Sequence, residues 1–125
     1  MELVKCENQH WDFILSLRNE VRKGFIQQHK ILSGEHEKFM QQNEGNYFIC
    51  LDQGIPVGFI GDVGQDIRIA VSPRYQNKGV GKFMLNSFLN IQTSSIAKVK
   101  IDNKESLKLF ESCGFKKKYY ILEKE

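Results

Sequence analysis

Apolar residues alternate with polar ones in some stretches of the chain and recur every three or four positions in others. The alternation predicts strands over residues 2–6, 46–51, 55–62, 66–71, 98–101 and 115–122. The helical spacing predicts helices over residues 11–22, from residue 33 onward, over residues 79–93 and over about ten residues from 103. The resulting order, β-α-α-β-β-β-α-β-α-β, indicates an α/β (α+β) fold.

Turn and capping residues support these boundaries. Ser33 is a suitable N-cap for the second helix, with Glu35 in its first turn. Residues 52–54, Asp-Gln-Gly, separate two strands and predict a hairpin turn. Gly114 follows the last predicted helix, where glycine commonly ends a helix.

Composition limits the classes of protein to which the chain can belong. With 125 residues, 41% hydrophobic and 26% charged, the chain is expected to form one domain over residues 1–125. It has no long apolar run and no basic leader, so neither a membrane partner nor export is expected and a cytoplasmic location is predicted. Its three cysteines lack metal-ligand spacing, which predicts no metal site. A net charge of +3 does not indicate a nucleic-acid partner.

Residues 71–82, Val-Ser-Pro-Arg-Tyr-Gln-Asn-Lys-Gly-Val-Gly-Lys, lead from a strand through a polar turn into a helix. Backbone N–H groups at a helix start have no intrahelical partner, and the helix dipole strengthens their attraction for phosphate. Gly79 and Gly81 leave these amides accessible, while Lys78 and Lys82 add positive charge. The segment therefore predicts a site for a diphosphate.

The spacing excludes two other phosphate-binding loops. The NTPase P-loop pattern would need glycine at Gln76 and a hydroxyl at Phe83. The dinucleotide pattern would place its third glycine on Met84 and an acidic residue about 20 positions later. The pattern that remains is Gln76-x-x-Gly79-x-Gly81 after a strand.

This loop resembles the acyl-CoA loop of the GNAT superfamily of acetyl-CoA-dependent N-acetyltransferases. A second segment, Asn103-x-x-Ser106-x-x-x-Phe110-x-x-x-Gly114-Phe115, is similar to another motif of that family. The resemblance implies a GNAT-like domain with a mixed, mostly antiparallel sheet of six to seven strands and about four helices. It implies acetyl-CoA as co-substrate, with the pantetheine arm between the strands that end at residues 71 and 101. The residues implied in cofactor binding are Ile69, Ala70, Val71, Gln76, Asn77, Lys78, Gly79, Val80, Gly81, Lys82, Asn103, Ser106 and Phe110.

The resemblance also suggests the catalytic groups. The backbone N–H of Val71 would stabilise the oxyanion of a tetrahedral intermediate. Asp66 is the first candidate for the base that deprotonates the amine, and its alternative role is a solvated carboxylate at a strand end. His36 and Glu35 are the second candidates, with structural roles as the alternative. Phe110 stands where many family members have a tyrosine that protonates the leaving thiolate, so the general acid is left open.

A narrower resemblance concerns the acceptor. Residues 17–22 and 31–39 are similar to segments of bacterial enzymes that acetylate the 4-amino group of a UDP-sugar. It implies a small-molecule amine acceptor, with Arg18, Arg22 and Arg68 binding its phosphates. Ribosomal-protein acetyltransferases share the Arg-Asn segment, so a protein or peptide acceptor stays open. A non-catalytic CoA-binding module is the third possibility, and the sequence allows a monomer or a homodimer.

Overall fold

Four antiparallel strands form the central sheet of the computed structural model, which describes residues 1–92 and 95–125. The strands lie in the order β1-β2-β3-β4. Their bounds are β1 Glu2–Lys5, β2 Tyr47–Asp52, β3 Ile55–Val63 and β4 Asp66–Val71. Four α-helices flank the sheet: α1 Trp11–Glu20, α2 Ser33–Asn43, α3 Val80–Ile91 and α4 Lys104–Ser112. The predicted α+β class and the helix count are therefore confirmed.

The helices divide the core into two halves. On one face of the sheet, α1 and α2 bury Ile14, Leu17 and Met40 against strand residues that include Phe59 and Ala70. On the other face, α3 and α4 bury residues against the second half of the core, and these are Val80, Met84, Leu85, Phe88 and Phe110. Burial of these apolar side chains from both sides holds the sheet between two helical layers.

A β-bulge adjusts which face of β3 each side chain reaches. Cys50 pairs with Gly58, but the next residue, Leu51, pairs with Pro56, so Val57 has no opposite partner. The extra residue shifts the alternation by one position. Val57 and Ile60 consequently contact the same half of the core, although simple alternation would separate them.

The sheet has four strands within residues 1–92 and 95–125, and the expectation of six to seven was wrong. The segment predicted as a strand over 98–101 forms no ladder with β4, and Ile96, just before it, forms an isolated parallel bridge with Asp66. Ile67 N–H donates to the Ile96 carbonyl at 3.0 Å, but Lys98 N–H donates to the Asp66 carboxylate instead of a β4 carbonyl. The chain then diverges from β4, so the ladder does not continue.

The segment predicted as a strand over 115–122 also lacks strand pairing. Tyr119 and Tyr120 are 87% and 95% exposed, and no neighbouring strand lies against them in the part of the chain described. Alternating residues match a strand locally, but a strand forms only where a pairing partner is within reach. This partner is a tertiary feature that the local pattern does not encode.

The remaining boundaries differ slightly from those predicted. Helix α1 ends at Glu20, and Arg22–Gly24 form a 3-10 turn in place of its last turn. Helix α3 ends at Ile91, while Thr93, the predicted helix end, lies outside the described residues. No helix in residues 1–92 and 95–125 has the length and apolar character needed to cross a membrane.

Candidate functional site

A cavity of about 320 Å³ lies between the end of β4 and the first turns of α3 and α4. It is lined by all the residues that the sequence implied in cofactor binding except Lys78 and Phe110. Two motifs separated by about 25 residues in the sequence therefore meet at one site. The sequence missed further lining residues, which are Val21, Gly24, Phe25, Tyr75, Glu105 and Leu109.

Some of those residues carried a readable signal. Glu105 and Leu109 are four positions apart on α4, so they share a helix face next to Ser106. That spacing could have identified them once α4 was placed at the site. Nothing in the local sequence indicated Val21, Gly24 or Phe25, because they reach the cavity from the loop after α1.

The edge of β4 at the cavity is open. Ser72 N–H donates inward to the Val57 carbonyl at 2.9 Å, so the N–H and C=O of Val71 point away from β3. Ile67 N–H points outward to Ile96, and the two-residue period of a strand puts Ile69 on the same outer side. The Val71 carbonyl accepts a hydrogen bond from Gln76 Nε2 at 3.1 Å. The outward N–H groups of Ile69 and Val71 therefore lie along the cavity.

Free amides of α3 border the other end of the cavity. Phe83 N–H makes the first bond inside α3, to the Gly79 carbonyl at 3.0 Å. The N–H groups of Val80, Gly81 and Lys82 precede that bond and have no intrahelical partner. Gly79 caps the helix in a left-handed conformation, φ +83°, which favours glycine. These amides and the helix dipole form an anion-binding end.

The start of α4 joins the cavity to the loop after α1. Asn103 caps α4 by accepting a hydrogen bond from Ser106 N–H at 3.1 Å. Its Nδ2 donates to the Gly24 carbonyl at 3.3 Å, and Lys100 Nζ donates to the Lys23 carbonyl at 3.2 Å. These contacts join the loop after α1 to the chain that leads into α4.

Phe110 lies in the core, not at the cavity. Its side chain is 4% exposed, and its ring packs edge-to-face on Phe115 with centroids 5.1 Å apart. Lys78 is exposed, with Nζ 5.7 Å from the centre of the Tyr75 ring. Among the described lining residues, the side-chain hydroxyls are those of Tyr75 and Ser106.

Asp66 is at the opposite end of β4 from Val71, and it does not line the cavity. Its Oδ1 accepts a hydrogen bond from Lys98 N–H at 3.3 Å. Burial raises the pKa of the Asp66 carboxyl, while the Lys98 hydrogen bond and the charge of Arg68 oppose that shift. The carboxylate is thus half-buried and partly satisfied by the backbone.

His36 and Glu35 make structural hydrogen bonds around α2. His36 is buried, and its Nε2 donates a hydrogen bond to the Trp11 carbonyl at 2.8 Å. Glu35 Oε1 accepts from Leu32 N–H at 3.3 Å where α2 begins. Neither side chain lines the cavity. The structure does not bring His36 and Glu35 together with Val71.

The structure brings together two of the three predicted acceptor-binding arginines. Arg18 on α1 and Arg68 on β4 face the same helical layer, whereas Arg22 is exposed on its 3-10 turn. Burial lowers the pKa of the Arg18 guanidinium, and the charge of Arg68 lowers it further. Within residues 1–92 and 95–125, no group of three or more His, Cys, Asp or Glu side chains is placed to hold a metal ion.

Comparison with known proteins adds independent findings. The model of the acetyltransferase (GNAT) domain family matches residues 43–117. A search of curated proteins found no match. A ribosomal-protein-alanine N-acetyltransferase from Brucella melitensis superposes with a TM-score of 0.81 and 12% identity, covering 93% of this chain and 85% of that one.

Two further solved structures have the same fold. A phosphinothricin acetyltransferase from Sinorhizobium meliloti, in complex with acetyl-CoA, has a TM-score of 0.79 and 19% identity over 92% of this chain and 74% of its own. An aminoglycoside N-acetyltransferase in complex with CoA has a TM-score of 0.76 and 16% identity, covering 99% of this chain and 93% of its own. The family match spans more than half of the sequence and includes the glycine-rich loop, β4 and the α4 motif. The chain belongs to the GNAT acetyltransferase domain family and is an acetyl-CoA-dependent N-acetyltransferase.

Proposed function

We propose that this protein transfers the acetyl group of acetyl-CoA directly to the primary amine of a small molecule, and that residues 1–125 form one catalytic domain. The observation that carries the proposal is the combination of two features in one cavity. The open edge of β4 offers backbone groups at Ile69 and Val71, and the start of α3 offers the free amides of Val80 to Lys82. Acetyl-CoA has a group that suits each feature.

The two features suit different parts of the cofactor. The pantetheine arm carries amides, which can pair with the outward backbone groups of Ile69 and Val71 as an added strand does. The diphosphate is an anion, which the free amides and dipole of α3 attract, with Lys82 adding charge. The cofactor itself supplies the activated acetyl group.

Val71 would stabilise the reacting carbonyl. A backbone N–H directed at the developing oxyanion is already oriented, and such a donor contributes about 3 kcal/mol in other acyl-transfer enzymes. Gln76 supports this role because its Nε2 satisfies the Val71 carbonyl and fixes the orientation of the strand end. Substitution of the Val71 side chain would leave this backbone donor in place.

The acceptor amine must lose a proton before it attacks, because an alkylammonium has a pKa of about 10. Asp66 is the candidate base because it lies on β4, the strand at the cavity, and because burial raises the pKa of its carboxyl, which makes it a better proton acceptor. Since its carboxylate does not line the cavity, the proton would pass to it through water. His36 and Glu35 have a weaker case, because each is engaged in a structural hydrogen bond.

A nucleotide-linked amino sugar is the favoured acceptor. The support is the similarity of residues 17–22 and 31–39 to enzymes of that class. Asn19 in this segment has a structural role: Nδ2 donates to the Ile31 carbonyl at 2.9 Å, and Oδ1 accepts from Ile31 N–H at 2.7 Å. These two bonds tie α1 to the chain before α2, so the segment positions a loop beside the cavity.

A peptide amine is the second candidate acceptor. It is favoured by the fold shared with the Brucella ribosomal-protein-alanine N-acetyltransferase. The other two solved relatives are named for phosphinothricin and aminoglycosides, so proteins of this fold take chemically different acceptors.

Thiol release from acetyl-CoA, measured with panels of UDP-amino sugars, free amino sugars, amino acids and peptides, tests the proposed function. Turnover with a UDP-amino sugar above all other acceptors supports the proposal. Turnover with peptides alone favours the second candidate. Tight acetyl-CoA binding without acetylation of any amine would mean that the protein is a CoA-binding module.

A further inference from the structure

The guanidinium groups of Arg18 and Arg68 are close enough for the charge of one to act on the other, although neither side chain lines the cavity. Arg18 comes from the last turn of α1 and Arg68 from the middle of β4. Each covers an aromatic ring: the Arg18 Cζ is 4.2 Å from the centre of Phe25, and the Arg68 Cζ is 5.7 Å from the centre of Phe39. Stacking of this kind fixes the plane of a guanidinium and leaves its N–H edges able to donate hydrogen bonds, one of which Arg68 makes with Tyr47.

The proximity of the two positive charges is visible in their effects on neighbours. The charge of Arg68 lowers the pKa of Arg18, in addition to the effect of burial. Tyr47 lies beside both: burial raises the pKa of its phenol, and the charges of Arg68 and Arg18 oppose that shift. Like charges repel, so placing two arginines together in a partly desolvated region is unfavourable unless an anion compensates.

Within residues 1–92 and 95–125, neither arginine forms a salt bridge with a carboxylate. The salt bridge found in residues 1–92 and 95–125 joins Lys100 and Asp102, away from this pair. Asp66 shares a strand face with Arg68, and the charge of Arg68 lowers the pKa of its carboxyl, but this carboxylate accepts its hydrogen bond from Lys98 N–H and forms no salt bridge with Arg68. Arg18 Nη1 is buried and has no hydrogen-bond partner in the described part of the chain. A buried donor of this type is costly to leave unpaired.

A neutral group holds the other nitrogen of Arg18. Nη2 donates to the backbone carbonyl of Gln27, in the exposed loop after α1. A carbonyl oxygen offers the same hydrogen-bond geometry as one oxygen of a carboxylate or phosphate, without the charge. Gln27 therefore occupies the position that an oxyanion would take, in a loop whose side chains from 26 to 30 are all exposed.

The pair is close to where the acceptor would enter. Phe25 lines the cavity, and the Arg18 guanidinium stacks on its ring. Ala70 also lines the cavity, and it lies two residues beyond Arg68 on the same face of β4. Two residues of a strand span about 7 Å. An acceptor with its amine near Val71 could thus extend an oxyanion to the arginines.

We propose that Arg18 and Arg68 form an oxyanion subsite for the acceptor, which binds a carboxylate or phosphate in exchange for the Gln27 carbonyl. This subsite selects acceptors that carry both an amine and an anionic group. Arg22, which the sequence grouped with the other two, takes no part because it is exposed on a separate turn. The inference rests on the proposed acetyl transfer and narrows its acceptor class.

Matched acceptor pairs test the subsite. One pair is an amino acid and its carboxamide; the other is an amino sugar phosphate and the free amino sugar. For one of the two pairs, the wild-type protein should show a kcat/KM about tenfold higher for the anionic member than for the neutral one. A preference in the first pair means that the subsite binds a carboxylate, and a preference in the second means that it binds a phosphate. Equal kcat/KM for both members of both pairs would overturn the proposal.

Substitution of the two arginines tests whether they cause the preference for anionic acceptors. Arg18→Gln and Arg68→Gln should raise KM for the anionic acceptor about 30-fold, with little change in kcat or in KM for its neutral counterpart. Arg68→Lys should recover part of the loss, and Lys38→Gln, at an exposed position on α2, is the control that should retain wild-type behaviour. A loss that affects neutral and anionic acceptors equally would assign the arginines a purely structural role.

A binding measurement keeps the test independent of turnover and of variant folding. Inorganic phosphate and acetate are titrated into the wild-type protein while the Nε–H resonances of its arginines are followed by NMR. Shifts at Arg18 and Arg68 but not at Arg22 support the subsite, and shifts at none of them refute it. Calorimetry with acetyl-CoA on the same sample tests the proposed acetyl transfer separately from the arginine subsite. If acetyl-CoA does not bind, the proposed function is refuted, whereas the NMR result on anion binding is unaffected.

Discussion

Replacement of Gly81 by aspartate would place a carboxylate at the anion-binding end of the cavity. Gly81 is in the first turn of α3 and lines the cavity, and its own N–H is one of the three without an intrahelical partner. Two unit charges about 5 Å apart repel by about 3 kcal/mol at an effective dielectric constant of about 20. Because the position is half-exposed, we expect about 2 kcal/mol to remain, which weakens acetyl-CoA binding about 30-fold.

Gly81→Ala is the matched control. A Cβ at this position would approach Leu109 Cδ2 to 3.2 Å, a contact that a small movement of the leucine side chain can relieve. Both variants add this Cβ, so their difference isolates the charge. Aspartate in the first turn of a helix is also favourable to the helix, which argues against unfolding as the cause of lost binding.

Isothermal titration calorimetry with acetyl-CoA provides the assay. The aspartate variant should bind about 30-fold more weakly than the alanine variant at low salt, and the gap should narrow at about 0.5 M salt as the repulsion is screened. Thermal unfolding of both variants checks the fold. Equal affinities in two folded variants would refute the assignment of the α3 amides to the diphosphate.

Three further predictions concern other parts of the site. In Asp66→Asn, the fall in kcat/KM as pH decreases through the raised carboxyl pKa should disappear, with acetyl-CoA affinity unchanged; a pH–rate profile like that of wild type would remove Asp66 as the base. Phe110→Tyr should lower the free energy of unfolding by about 1–3 kcal/mol in urea without raising kcat, because the new hydroxyl is buried beside Phe115. A higher kcat would contradict the core position of that ring. Asn19→Ala should cost about 2 kcal/mol through the loss of its two hydrogen bonds to Ile31, whereas the exposed Asn90→Ala should be nearly neutral; equal effects in urea unfolding would contradict the anchoring role.

Sequence reasoning succeeded where structure is dictated locally. The left-handed conformation at Gly79, the free amides that follow it and the Asn103 cap all depend on residues a few positions apart. Hence the residues that β4, the glycine-rich loop and the start of α4 bring to the cavity were largely named from the sequence, whereas Val21, Gly24 and Phe25 were missed. The prediction failed for the strands over 98–101 and 115–122, because strand formation requires a partner whose position is set by the tertiary fold.

The same limit applied to individual side chains. Phe110 occupies the motif position where a proton donor is common, yet helix α4 turns its ring into the core. Arg18 and Arg22 are four positions apart in the sequence, but helix α1 ends between them. Arg18 is therefore half-buried on the helix, whereas Arg22 is exposed on the 3-10 turn that follows. Composition and spacing indicate which residue types are available to a site. Which side chains are buried and which strands pair depends on contacts between elements that are distant in the sequence.

The site depends on a sheet edge that is left unpaired. Exposed strand edges favour pairing with other chains, so proteins usually cover them. Here the segment that approaches β4 pairs with it, among the described residues, at Ile96, and the Asn103 side chain donates to the Gly24 carbonyl in the loop after α1. The cavity is therefore lined on this side by residues almost 80 positions apart in sequence, while the outer edge of β4 at Ile69 and Val71 stays unpaired in the described chain. A cofactor arm that pairs with this edge would complete the sheet and bring its reactive carbonyl to the Val71 N–H, so that binding and catalysis use the same backbone groups.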